Sequence, residues 1–303
     1  IAEDEFVPGN LLFSDGNALK TTDGTTTSLI TGSSISWGYI EGVGSTARFS
    51  GIFSFIQLSR SLIVLADYGN SCLRNVDRTT TQTSTYSGSC TNGGDRDGVD
   101  ALFSGPTSIK LDVKTSAQLL ITDFSLRSLK KIILADKHVS TIYKDSSYRL
   151  SALLQDPSTG NIYLTFDHGL GLYDYESKSF SVIAGSFVPA GHGFVEGAIS
   201  QIRFDYPKEV AFLCPRKLLI ADNSNNRLRV LDLITNTSSS ICSGVRGHLD
   251  GDLSSCQLFG PGRFWQLTTR FFLASINVCD LFRVSITIHQ HIWLNIRSVV
   301  RLI

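Results

Sequence analysis

The chain has 303 residues, with 27 Lys plus Arg against 27 Asp plus Glu, so its formal net charge is zero. That balance gives no support for binding nucleic acid by bulk electrostatics or for a polybasic membrane contact. No uninterrupted apolar run reaches the roughly 18 residues of a spanning helix, which predicts no membrane insertion of this region. Charged residues make up only 18% while Gly, Ser and Thr abound, a bias toward strands and turns. The chain begins at Ile1 and contains no Met, which predicts a processed product or a fragment.

Taken in chain order, one pattern returns six times. It reads LLFSDGNALK at 11–20, LIVLADYGNSCLRNVD at 62–77, LLITDFSLRSLKKI at 119–132 and IYLTFDHGLGLYDY at 162–175. It returns as LLIADNSNNRLRVLD at 218–232 and, in its weakest form, as FFLASINVCDLFRV at 271–284. The Asp after the first apolar run marks the copies as Asp15, Asp67, Asp123, Asp167 and Asp222, with Ser275 in the last. Each copy predicts a buried strand, a tight polar turn and an alternating strand. Thr/Ser-rich runs at 79–87 and 235–241 suit outer strands, and short segments such as 107–112 and 208–213 supply one more strand upstream. The expectation is an all-β, six-bladed β-propeller of four-stranded antiparallel blades. It forms a single domain over 1–285, with blades near 1–36, 37–92, 93–145, 146–188, 189–246 and 247–296, and leaves 297–303 as an unassigned tail.

A second element recurs between copies. Glu41-Gly42 leads to Arg48-Phe49, Asp97-Gly98 to Phe103, Glu196-Gly197 to Arg203-Phe204, and Asp250-Gly251 to Phe259. The Gly permits a chain reversal and the Phe can plug the gap between blades. The fourth copy lacks this element, and its connection near 144–150 is short.

The combined pattern is acidic-Gly, then Arg-Phe, then apolar-Ala-Asp-x-x-Asn-x-x-Leu-Arg-x-apolar-Asp. It resembles the NHL repeat family, most closely in copies two, three and five. That resemblance implies a six-bladed propeller. It also implies a range of functions: secreted binding modules, cell-surface proteins, RNA-binding modules of ubiquitin ligases, and a few lyases and lactonase-like enzymes. Fold alone does not choose among them.

The residues that could carry chemistry are few. The recurring Asp residues could hold a hard cation, but a carboxylate bonding the amides of its own turn explains a once-per-repeat Asp more simply. Arg74, Arg127 and Arg229 read as partners for those acids rather than as nucleic-acid contacts. The six histidines show no metal-ligand spacing; His168, beside Asp167 in a turn, is the one that draws notice. No nucleophile elbow, phosphate loop or dinucleotide fingerprint occurs.

Cys72 and Cys90 bracket one hairpin, and Cys242 and Cys256 bracket the connection into the last blade. Both pairs are expected as disulfides, which places the chain outside the cell or at its surface. Asn236-Thr237-Ser238 is a glycosylation acceptor triplet.

The connections at 88–106, 186–207 and 243–262 are long and share one end of the ring, so binding residues are expected there. The candidates are Asp95, Arg96, His168, His192, Arg246 and His248, for a protein or glycan partner. The expected function is a non-catalytic binding or adhesion module without a cofactor. The alternative is a lactonase- or lyase-like enzyme using a divalent cation such as calcium.

Overall fold

A computed structural model describes residues 2–186, 191–249 and 254–262. Blade one contains β1 (Ala2–Glu3), β2 (Leu11–Asp15), β3 (Ala18–Thr22) and β4 (Thr27–Gly32). The next connection carries β5 (Gly42–Val43), and blade two follows as β6 (Ile52–Gln57), β7 (Leu62–Asp67), β8 (Cys72–Asp77) and β9 (Gln82–Ser87). Blade three is β10 (Pro106–Leu111), β11 (Gln118–Asp123), β12 (Ser128–Ile133) and β13 (Val139–Lys144). Blade four is β14 (Leu150–Gln155), β15 (Ile162–Phe166), β16 (Gly169–Tyr173) and β17 (Phe180–Gly185). Blade five is β19 (Pro207–Cys214), β20 (Lys217–Asp222), β21 (Arg227–Asp232) and β22 (Thr237–Ile241), preceded by β18 (Gly197–Ala198).

In each blade the four strands pair antiparallel in sequence order. Five blades are therefore described. The expected sixth, over 247–296, lies mostly outside the described residues, as do Cys279, His289, His291 and the tail.

The apolar runs of the second strands work on both faces. Ile63 and Leu65 pack toward blade one, while Val64 and Ala66 pack toward blade three, and all four are sealed from solvent. This alternation, set by the strand's period of two, makes the core a series of apolar layers between successive sheets. Phe49, Phe103 and Phe204 fill those layers from the connections, as expected of plugs, and each is fully buried.

The recurring Asp does more than shape its own turn. Asp67, Asp123 and Asp222 end their second strands with no exposed surface. Each accepts the backbone N–H of the residue that follows a plug: Ser50, Ser104 and Asp205, all at 2.8 Å. Of the three, only Asp123 also takes a backbone N–H of its own turn, from Leu126 at 3.2 Å, while Asp67 and Asp222 take the side-chain amides of Asn70 and Asn225 at 2.8 and 2.9 Å. Arg74 and Arg229 complete the latch. Each donates to its Asp at 3.1 Å and to two carbonyls of the same connection: Arg48 and Ile40 for one, Arg203 and Val195 for the other. Asn70 and Asn225 add a bond to the carbonyls of Gly38 and Gly193. Burial pushes the three carboxyls up from the ordinary carboxylate value and holds the Arg229 guanidinium below its own.

Two residue equivalences differ from the sequence alignment. In blade three Lys130, not Arg127, stands in the Arg position, and Arg127 occupies the turn at φ 54°. In blade four the register partner of the first strand's Leu150 is Phe166, where the other blades pair Asp67 with Ile52 and Asp222 with Pro207. Asp167 falls one residue later, in the turn. From there it still accepts a backbone N–H of the short connection, that of Arg149 at 3.2 Å, while Phe166 fills the layer and packs against Tyr148 with ring centroids 4.6 Å apart.

The long connections do not simply hang at one end. Those leading into blades two, three and five run outward to the outer strand of the following blade, and the first two lay an acidic residue on it. Gly42–Val43 pairs with β9, Gly98 bridges to Val139, and Gly197–Ala198 pairs with β22. Glu41 accepts from the Thr85 amide at 2.8 Å, and Asp97 from the Thr141 amide at 2.8 Å. These caps cover part of each exposed sheet edge. No helix among the described residues is long and apolar enough to cross a membrane.

Candidate functional site

In a four-stranded antiparallel blade, the turn between strands two and three and the connection to the next blade share one end. Cys72 and Cys90 are joined there with Cα atoms 5.0 Å apart, and Cys242 and Cys256 with Cα atoms 4.6 Å apart. The first bond fastens the start of a long connection to β8, and the second ties the residue that follows β22 to a later point of the connection after it. None of the described cysteines is a free thiol. Asn236 lies at the opposite end, exposed in the hairpin between β21 and β22 at φ 52°.

The candidate residues fall into three groups. Asp95 is occupied by the fold: with Asp97 it receives the buried Lys130 ammonium, both at 2.9 Å, and Thr141 takes its third proton at 2.8 Å. Lys144 also holds Asp95, and its hydrogen bond draws that carboxyl below the ordinary value. Arg96 folds back onto the Asp100 carbonyl at 2.7 Å. Arg246 and His248 meet on one ring: the guanidinium lies 3.9 Å from the Phe259 centroid and the imidazole 5.4 Å from it.

His168 and His192 come together with ring centroids 5.3 Å apart, from different elements. They face the two oxygens of Asp205, His168 Nδ1 lying 3.6 Å from Oδ1 and His192 Nδ1 3.6 Å from Oδ2. Burial draws the His168 imidazole below its ordinary value, against the pull of Asp205 and Asp167. Among the described residues, no group of three or more His, Cys, Asp or Glu side chains is arranged to hold a metal ion.

The histidine pair is one end of a longer aromatic arc. His168 meets Tyr206 edge-on at 5.0 Å. Arg149 and Lys208 sit between Tyr206 and Phe124, at 5.9 and 5.6 Å from the first ring and 4.9 and 5.7 Å from the second. Phe124 touches Tyr68 at 6.5 Å, and Tyr68 lies 4.4 Å from Phe53. The arc thus crosses blades two to five at the mouth of the ring. Asp167 fixes Arg149 through Nε at 2.8 Å, and Arg149 Nη2 donates to the Tyr206 hydroxyl at 3.4 Å.

Sequence reasoning found only the histidines of this arc. The signal it passed over is a break in the repeat. Just before the first strand, blades two and three carry Gly51 and Gly105, at φ 90° and 145°. A Cβ at Gly105 would come 3.0 Å from the Tyr68 ring, and one at Gly51 3.2 Å from the Phe53 ring. Blades four and five carry Arg149 and Tyr206 in the same place. Tyr206 keeps the left-handed backbone at φ 50°, which a bulky residue adopts only at some cost.

A second surface at this end also escaped notice. The connection from blade one to blade two exposes Ile35, Trp37, Tyr39, Ile40 and Val43, with Ile35 94% and Trp37 77% accessible.

No protein-family model and no curated protein matches the chain. Solved structures do. An auxiliary nutrient binding protein from Bacteroides ovatus aligns at TM-score 0.63 and 12% identity, over 85% of this chain and 61% of that one. A protein of unknown function from Bacteroides thetaiotaomicron aligns at TM-score 0.50 and 13% identity, over 83% of this chain and 77% of that one. The chain thus spans less than two thirds of the first structure. At such identities the likeness is one of fold: an all-β propeller with four-stranded antiparallel blades.

Proposed function

We propose that this chain is a non-catalytic, NHL-type binding propeller of six blades, belonging to a larger secreted or cell-surface protein. It engages a protein or glycan partner through the end that carries the long connections. The observation that carries this reading is the run from Ile35 to Val43. The largely exposed Ile35 and Trp37 side chains, two residues apart in one connection, have no role in the propeller's own core, and large aromatic anchors of this kind dominate binding energy at interfaces. The two disulfides and the exposed Asn236 triplet fit an oxidising compartment. The zero net charge argues against nucleic acid as the partner.

Saturable binding of the labelled protein to cell surfaces tests this reading. The double substitution Ile35→Ser, Trp37→Ala should abolish binding, while Val113→Ser, in a hairpin at the opposite end, should leave it intact. Loss of binding through Val113→Ser alone would sink the assignment. The rival reading, a metal-dependent lactonase- or lyase-like enzyme, gains ground if the purified protein holds one divalent ion per chain and opens lactones.

A further inference from the structure

We propose that the aromatic arc at the mouth of the ring is a binding site for a carboxylate-bearing carbohydrate, with Arg149 and Lys208 taking the carboxylate on the shelf formed by Phe124 and Tyr206. This rests on the reading of that end as the working face, but not on the Trp37 surface.

Three independent observations converge on it. First, the repeat breaks at this place. Where blades two and three use Gly51 and Gly105, blades four and five use Arg149 and Tyr206. At the next-but-one position blade five uses Lys208, where the other blades carry Phe53, Thr107 and Ser151. A repeat protein holds its pattern where folding needs it and departs from it where function does. Second, Tyr206 holds a left-handed backbone, an unfavourable state for its type, and this sets its ring beside two cations. Third, the chemistry of the group is mixed in a particular way. Two cations share two aromatic rings, while the carboxylates of Asp167 and Asp205 stand within the same cluster.

That mixture selects the ligand class. The negative faces of aromatic rings attract the polarised C–H face of a pyranose. Arg and Lys form short charge-assisted bonds to a carboxylate. The carboxylate oxygens of Asp167 and Asp205 can accept from sugar hydroxyls, and they repel the successive phosphates of a nucleic acid. A uronate-type sugar presents all three complementary features, a C–H face, hydroxyl donors and one anion, in a single ring.

Calorimetric titration with an oligogalacturonate, its fully methyl-esterified form and a short oligothymidylate tests the proposal. The oligogalacturonate should bind about tenfold more tightly than the ester, as expected when a charge-assisted contact is lost. Arg149→Gln with Lys208→Gln should erase that difference and leave the ester's affinity unchanged. Tyr206→Gly, which restores the residue of blades two and three, should fold normally and weaken acid and ester alike. Equal affinity for acid and ester, no binding of the acid, or oligothymidylate binding as tight as the acid's would each overturn it. Failure here with Trp37-dependent cell binding intact removes only the carbohydrate site. Uronate binding with cell binding insensitive to Trp37 removes the other reading instead.

Discussion

Arg229 donates to Asp222 across 3.1 Å with both side chains sealed from water, and Arg74 and Asp67 repeat the pair at the same distance in blade two. Burying such a pair gains little over a well-packed apolar pair, because desolvation offsets the attraction. Its value lies in specificity: the same guanidinium holds two carbonyls of the incoming connection, so the connection can seat in one way only.

Breaking one partner should therefore be far worse than replacing both. Asp222→Ala leaves a buried guanidinium unpaired and should cost about 3–5 kcal/mol. The double change Asp222→Asn, Arg229→Met should recover part of that loss. Urea unfolding of the three variants measures both effects; equal destabilisation by the single and double changes would contradict the argument.

Blade three tests whether the latch is modular. Where blades two and five place Tyr39 and Phe194 about 4.9 Å from an Arg, blade three substitutes Asp95 and Lys130 together. Asp95→Tyr alone removes a carboxylate from a buried ammonium and should destabilise. Adding Lys130→Arg restores the pattern of the other blades, and the coupling between the two changes should be about 1–3 kcal/mol. Additivity within error, in a double-mutant cycle, would show that the two positions are independent.

The disulfide between Cys72 and Cys90 closes a separation of 18 residues. On the chain-entropy model its removal by Cys72→Ser, Cys90→Ser should cost roughly 3 kcal/mol. Thermal unfolding with and without reductant checks this, and wild-type stability that is insensitive to complete reduction would refute it.

Acid should loosen the junction of blades four and five. The His168 imidazole lies below its ordinary value of 6.5 because burial disfavours its charge, so the unfolded chain binds more protons in that range. Its contribution is present above about 6.5 and is lost as the pH falls through the folded value. Arg149 and His192 face the ring as cations when charged, and Asp167 and Asp205 as anions. His168→Gln should flatten the fall in melting temperature between about pH 7 and pH 5, and an unchanged profile would exclude this residue as the source.

The chain pattern by itself determined most of the architecture. Second strands such as 62–67 carry apolar residues on both faces because sheets lie against both sides of them, and that run is visible without a structure. The recurring Asp and Arg are legible for the same reason: an identical local need returns in each copy. The bridging of Cys72 with Cys90 follows from nearness along one hairpin. The tertiary structure decided what depends on contacts between copies. Nothing local tells that Asp67 reaches back to the Ser50 amide, that Lys130 stands in for Arg, or that Phe166 takes the register position of an Asp while Asp167, one residue later, serves the Arg149 amide. The aromatic arc was hidden for the same reason. Apart from the two histidines its members are Phe53, Tyr68, Phe124, Arg149, Tyr206 and Lys208, each unremarked in its own blade, and only the arrangement of the sheets around an axis brings them to one mouth.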